Sequence, residues 1–213
     1  ALAMAEEGAR VGVVDIDGDS ASETAELIRS AGGEAFAGQG DVAKRDDCAR
    51  GIQGTVEAFG GLDILVNNAG GGGHVPTKYA TDEHFEAGLS LNFRAPFYLT
   101  RAARPHLREG RGVVLNISSG YSRAANIGSI PYGGAKAALE QMTRMMAMEY
   151  APEIRVNAIR VGAVTTENMK QNLPAAMPGI GEKLPNWTPL GLSPIHIRRC
   201  RRTTPGTSQR KAI

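Results

Sequence analysis

The chain has 213 residues, 42% hydrophobic and 22% charged, a balance that suits one globular domain of ordinary size and excludes an intrinsically disordered chain. No apolar run is long enough to cross a bilayer, and the N-terminus carries no basic segment followed by a long apolar core, so neither a membrane span nor a secretory signal is expected. Two cysteines, Cys48 and Cys200, make no disulfide framework, and a cytoplasmic location is the expectation. The net charge of +2 hides an asymmetry. Residues 192–213 hold Arg198, Arg199, Arg201, Arg202, Arg210 and Lys211 and no acid; without these six of the 24 basic residues, 18 remain against 22 acids. No aromatic residue is interleaved in that tail to stack on bases, so no nucleic-acid partner is expected and the tail reads as a basic, disordered end. The 27 glycines, about one residue in eight against ~7% in an average protein, point to tight turns or a backbone that approaches a ligand closely.

In chain order, Val11 to Asp15 reads as a buried strand, and Ser20 to Ala31 as a helix with Ala21, Ala25 and Ile28 on one face, closed by Gly32-Gly33. A second helix runs from Lys44 to Phe59, where Cys48, Ile52, Val56 and Phe59 recur at helical spacing. Leu62 to Val66 is a strand, residues 82–108 read as helical, and Val113 to Ile117 is a third strand. A helix rich in Ala and Met spans 132–150, and Ile154 to Ile159 is a strand again. Strands alternating with helices, without hairpin signals, predict an α/β fold: a Rossmann-like, doubly wound parallel sheet with helices on both faces. Ligands of such sheets bind beyond the carboxyl ends of the strands, so the residues just after each strand matter most.

Asp15 ends the first strand, where an acid can accept hydrogen bonds from both hydroxyls of an adenosine ribose and repel a 2′-phosphate; a capping or turn acid is the alternative. Asn67-Asn68-Ala69-Gly70 follows the 62–66 strand and either admits a flat ligand against the backbone or is a plain turn. Ser118 and Ser119 follow the 113–117 strand; thirteen residues on stands Tyr132, and four further Lys136. At i, i+4 these two share a helix face, and an ammonium beside a phenol favours the phenolate, which suits general acid–base work. The scattered His74, His84, His106 and His196, with the two cysteines, give no metal-ligand spacing. Met142, Met145, Met146 and Met148 read as helix packing.

Taken together, Asn67-Asn68-Ala69-Gly70, Leu91-Asn92, Asn116-Ile117-Ser118-Ser119, Tyr132-Gly133-Gly134-Ala135-Lys136 and Arg155-Val156-Asn157-Ala158-Ile159 resemble, in order and spacing, the short-chain dehydrogenase/reductase family over residues 1–191. The resemblance implies hydride transfer between a nicotinamide cofactor and a secondary alcohol or ketone. Tyr132 would exchange a proton with the substrate oxygen, Ser119 would hydrogen-bond that oxygen, Lys136 would favour the ionised Tyr132 and hold the nicotinamide ribose, and Asn92 would keep a water that passes the proton on. Asp15 would take the adenosine ribose, Asp41 and Val42 the adenine edge, and Asn67, Ala69 and Gly70 the cofactor along the backbone. Gly162 and Thr166 would meet the carboxamide. Asp15 favours NAD over NADP. The Gly70–Gly73 run, with Ser119 and Ala125-Asn126-Ile127, is similar to bacterial hydroxysteroid dehydrogenases; 3-oxoacyl carrier-protein reductases and sugar dehydrogenases are alternatives.

The chain also departs from that pattern. The family opens with a strand and a glycine-rich turn that seats the pyrophosphate on a helix N-terminus, whereas Ala1–Gly8 resembles the helix after that turn. The expectation is an N-terminally truncated domain, 1–191, with neighbouring strands left unpaired and weak cofactor binding by itself. It includes a variable substrate loop, 163–190. The tail, 192–213, lacks the family's final helix and strand, as a shifted reading frame near residue 191 would produce. Val161-Gly162 stands where the family has Pro-Gly, which loosens that turn. The family's helices around Asn92 and Tyr132 pair across a homodimer or homotetramer; a catalytically inactive piece keeping only those helices is the alternative of another class.

Overall fold

The computed structural model of the protein describes residues 1–72, 75–109 and 112–162. The substrate loop expected at 163–190, Thr166 and the tail 192–213 lie outside the described residues. Residues 1–159 lie in one compact unit; of a second unit, 160–209, the described part is 160–162.

The order of elements is α1 (Leu2–Glu6), β1 (Val11–Asp15), α2 (Gly18–Ser30), β2 (Ala35–Gln39), α3 (Arg45–Phe59), β3 (Ile64–Asn67), α4 (Asp82–Leu89), a π-helical segment Ser90–Arg94, α5 (Ala95–Glu109), β4 (Val113–Ser119), α6 (Ile130–Glu149) and β5 (Arg155–Val161). Helix α2 starts two residues before the expected Ser20 because Asp17 caps it, accepting the Asp19 N–H at 3.1 Å and the Ser20 hydroxyl at 2.7 Å. Its buried residues are Ala21, Ala25 and Ile28, the face read from the sequence. Gly60 ends α3 at φ +76°, its N–H donating to Val56 O at 2.7 Å.

Two elements differ from the sequence reading. Strand β2 was not foreseen: Ala-Phe-Ala-Gly-Gln offers one aromatic and no β-branched residue, and pairing with β1 rather than propensity makes it a strand. The single helix expected over 82–108 is broken into α4, the π segment and α5. The cause lies at Asn92, whose Nδ2 donates to Gly88 O at 2.9 Å, inserting a side chain into the i→i−4 ladder.

The strands form two parallel sheets, β1-β2 and β3-β4-β5. In the first, Val11 lies opposite Ala35 and Asp15 opposite Gln39; in the second, Ile64 lies opposite Val113 and Asn67 opposite Asn116. Among the described residues β1 pairs with β2 alone and β3 with β4 alone. Both line a cleft of about 440 Å³ whose walls include Val11, Val13, Ile64 and Val66. Each sheet has its own core: Ala9, Val11 and Ile28 beside the first; Leu107, Val114, Leu139, Met146, Ile154 and Val156 around the second. The methionines of α6 divide by face, with Met142 and Met146 in the core and Met145 and Met148 exposed.

Leu107 joins α5 to the larger core and is fully buried, far along its helix from the candidate site. Leu107→Ala should destabilise the chain by about 2–5 kcal/mol. Urea unfolding measures this, and a loss below about 1 kcal/mol would contradict the packing described.

Candidate active site

Helix α6 supplies Tyr132 and Lys136, and its docking on β4 fixes both. Three consecutive residues of the strand bond to it: Asn116 Nδ2 donates to Thr143 Oγ1 at 2.9 Å, Ile117 O accepts from Lys136 Nζ at 2.8 Å, and Ser118 Oγ donates to Glu140 at 2.9 Å. Asn116, Ser118, Lys136, Glu140 and Thr143 are all buried, so these bonds satisfy groups that water does not reach. Lys136 Nζ lies 5.7 Å from the centre of the Tyr132 ring, on the face that i, i+4 spacing implied. Burial pushes the Lys136 ammonium down to about 8.

Ser119 ends β4 and opens a 3-10 turn, Gly120–Ser122, its Oγ accepting the Tyr121 N–H at 3.3 Å. The Tyr121 and Tyr132 rings meet edge to face with centroids 6.3 Å apart. A Cβ on Gly133 would come within 3.0 Å of Tyr121 O, so the glycine beside Tyr132 answers to the chain itself rather than to a ligand.

The loop after β3 reaches the same place. Asn92 Nδ2 donates to Gly71 O at 2.7 Å while its Oδ1 accepts the Gly71 N–H at 3.1 Å, fastening the loop to the π segment. A Cβ on Gly70 would stand 2.9 Å from Asn92 Oδ1 and 3.0 Å from Lys136 Nζ, and one on Gly72 would stand 3.4 Å from the Tyr132 Cβ. Gly70, Asn92, Tyr132 and Lys136 thus come together, with Ser119 reached through Tyr121.

The remaining predicted residues lie elsewhere. Asp15, Val42 and Ala69 line the cleft between the two sheets. Asp15 is exposed, and its Oδ1 accepts the Asp17 N–H at 3.0 Å, the turn contact weighed as its alternative. Asp41 accepts the Ala43 N–H at 3.0 Å and faces Lys44 at 3.8 Å. Asn67 turns inward: its Nδ2 donates to Asn116 Oδ1 at 2.7 Å and to Thr100 Oγ1 at 3.2 Å, and its buried Oδ1 has no partner among the described residues. Gly162 is exposed at the end of the described chain. Glu140 was missed by the sequence reading. Its position one turn beyond Lys136 was the available signal, but an acid in a helix ordinarily reads as surface.

The lowered Lys136 value fixes a sign. Between about pH 8 and the ordinary lysine value of about 10.4, the unfolded chain holds a proton that the folded chain has released, so stability rises with pH there. Lys136→Met should remove that rise. Urea midpoints for both proteins across the interval measure it, and equal slopes would mean that Lys136 is not the buried cation described.

Residues 1–176 match the family described as short chain dehydrogenase. An uncharacterised oxidoreductase of Thermotoga maritima is 39% identical over 182 residues, which cover 83% of this chain and 70% of that protein. The 7alpha-hydroxysteroid dehydrogenase of Escherichia coli K12 is 34% identical over 192 residues, 89% of this chain and 74% of its own length. A solved 7alpha-hydroxysteroid dehydrogenase complexed with NADH and 7-oxo glycochenodeoxycholic acid matches with a TM-score of 0.85 at 33% identity, covering 91% of this chain and 75% of the other. Agreement of this extent, in sequence and in backbone, decides the family: the chain belongs to the short-chain dehydrogenases, oxidoreductases that act on CH–OH groups.

Proposed function

We propose that the chain interconverts a secondary alcohol and a ketone with NAD, that Ser119, Tyr132, Lys136 and Asn92 carry the proton chemistry, and that the substrate class is a hydroxysteroid. One observation carries the mechanism: α6 holds Tyr132 and Lys136 against the Gly70–Gly72 loop, with the Lys136 ammonium anchored to Ile117 O at 2.8 Å.

The residues present suit a nicotinamide cofactor by their donor set. An exposed carboxylate, Asp15, stands at the carboxyl end of β1, where it can accept from two ribose hydroxyls and disfavours a 2′-phosphate. Lys136 has two N–H donors beyond the one given to Ile117 O. Asp41, Val42, Asn67, Ala69, Gly70, Gly162 and Thr166 keep their assigned places along the cofactor in this reading.

A nicotinamide cofactor, held by Asp15 and Lys136, would supply the hydride acceptor for the carbinol carbon in one direction and the hydride donor to the ketone carbon in the other. Tyr132 accepts the hydroxyl proton in the first direction and donates it in the second. Ser119 Oγ hydrogen-bonds the same oxygen as its charge develops. Lys136 stabilises the phenolate, and Asn92, fastened to Gly71, keeps the water through which the proton leaves. The hydroxysteroid class is supported by the 34% identity to the Escherichia coli 7alpha-hydroxysteroid dehydrogenase. A homo-oligomer is supported by Phe85, Phe97, Met145 and Met148, large apolar side chains left exposed on α4, α5 and α6.

The deciding experiment pairs NADH titration by cofactor fluorescence with turnover of a 7-hydroxy bile acid, a 3-oxoacyl thioester and an aldose at saturating NAD or NADH. Steroid turnover should dominate, and Tyr132→Phe should lower it by about 100-fold or more with NADH binding changed less than about twofold. Full turnover in the Phe variant would overturn the assignment of the proton donor; preference for the thioester or the aldose would overturn the substrate class.

A further inference from the structure

The roles above leave Glu140 unassigned, although it is among the most enclosed of the described acids at 8% exposure. Its Oε1 accepts hydrogen bonds from Ser118 Oγ at 2.9 Å and from Ser122 Oγ, and its Oε2 lies 3.8 Å from Arg123 Nε. A carboxylate that far from water is costly unless several donors converge on it. Here the donors come from one short stretch of chain.

That stretch brackets Ser119. Ser118 precedes it, Ser122 closes the 3-10 turn that it opens, and Ser119 Oγ accepts the Tyr121 N–H between them. Alternation along β4 turns Ser118 inward towards α6 and Ser119 to the opposite face. With both ends of the segment tied to one carboxylate, the turn cannot rotate without breaking a charge-assisted hydrogen bond. Helix α6, which carries Tyr132 and Lys136, therefore also fixes where Ser119 points.

We propose that Glu140 is a positioning residue for the reaction, clamping residues 118–122 so that Ser119 Oγ is held towards the substrate oxygen. The functional half of this rests on the role of Ser119 proposed above; the clamp itself does not, and the two are measured separately. Hydrogen exchange of the Tyr121 amide reports the clamp directly, because that N–H is bonded to Ser119 Oγ. In Glu140→Ala this exchange should quicken about tenfold, with the amides of β1 and α2 unchanged. Turnover should fall about tenfold or more while the KM for NAD moves less than about twofold. Glu140→Gln, which keeps an acceptor oxygen for both serines, should restore each quantity to within about threefold of the unmodified chain.

Should Glu140→Ala fail to fold, Ser122→Ala decides by the same two readouts, with smaller shifts of about threefold. Unchanged Tyr121 exchange overturns the proposal. Faster exchange without loss of turnover also overturns it, provided that Ser119→Ala does lose turnover. If Ser119→Ala is as active as the unmodified chain, it is the catalytic reading of Ser119 that fails, and the proposal falls with it while the clamp remains visible in the exchange.

Discussion

The grip of α6 on β4 is the interaction on which the candidate site depends. Apolar packing alone, as between Leu139 and Val114, is non-directional and tolerates a helix sliding or turning on its sheet. The bonds from Thr143, Lys136 and Glu140 to the successive residues 116, 117 and 118 do not, because each buried polar group is stranded if the register slips. The same seam holds Tyr132 near the Gly70–Gly72 loop and ties down the turn after Ser119. Polar atoms deep in the larger core thus specify an arrangement that hydrophobic area by itself would leave loose.

The assigned groups also obey the geometry of parallel sheets. Asp15 ends β1, Asp41 follows β2, Asn67 to Gly70 end and follow β3, Ser119 ends β4 and Gly162 follows β5. All lie at carboxyl ends of strands, where loops meet without crossing the sheet. What distinguishes the positions is depth. Asp15 is exposed and solvated, whereas Asn92 and Lys136, which meet the loop beside Tyr132, are buried and already fixed in place.

Much of this was legible in the residues themselves. Val11–Asp15 and the buried face of α2 follow from β-branched content and helical spacing, and Tyr132 and Lys136 share a face by arithmetic alone. Strand β2 was not legible, because its residues carry little preference and its partner decides its state. The break at Ser90–Arg94 was hidden because helical periodicity continues through it; a side-chain amide choosing a carbonyl four residues back leaves no mark on spacing. Glu140 was hidden for the opposite reason. Its letter signals a solvated surface, and only the fold brings Ser118, Ser122 and Arg123 around it. Asn67 was legible as a strand-end amide, but not that it bonds to Thr100 and Asn116, which lie 33 and 49 residues away in the chain.

The two strands that border the cleft share a composition. Val11-Gly12-Val13-Val14 and Ile64-Leu65-Val66 are short, uncharged and rich in β-branched or aliphatic residues, and each borders the cleft along an edge with no strand beside it among the described residues. Such edges are templates for foreign strands, and segments of this composition are those that stack into intermolecular sheets. Charges flank both runs, Arg10 and Asp15 on the first and Asp63 before the second, where gatekeeper residues oppose such stacking.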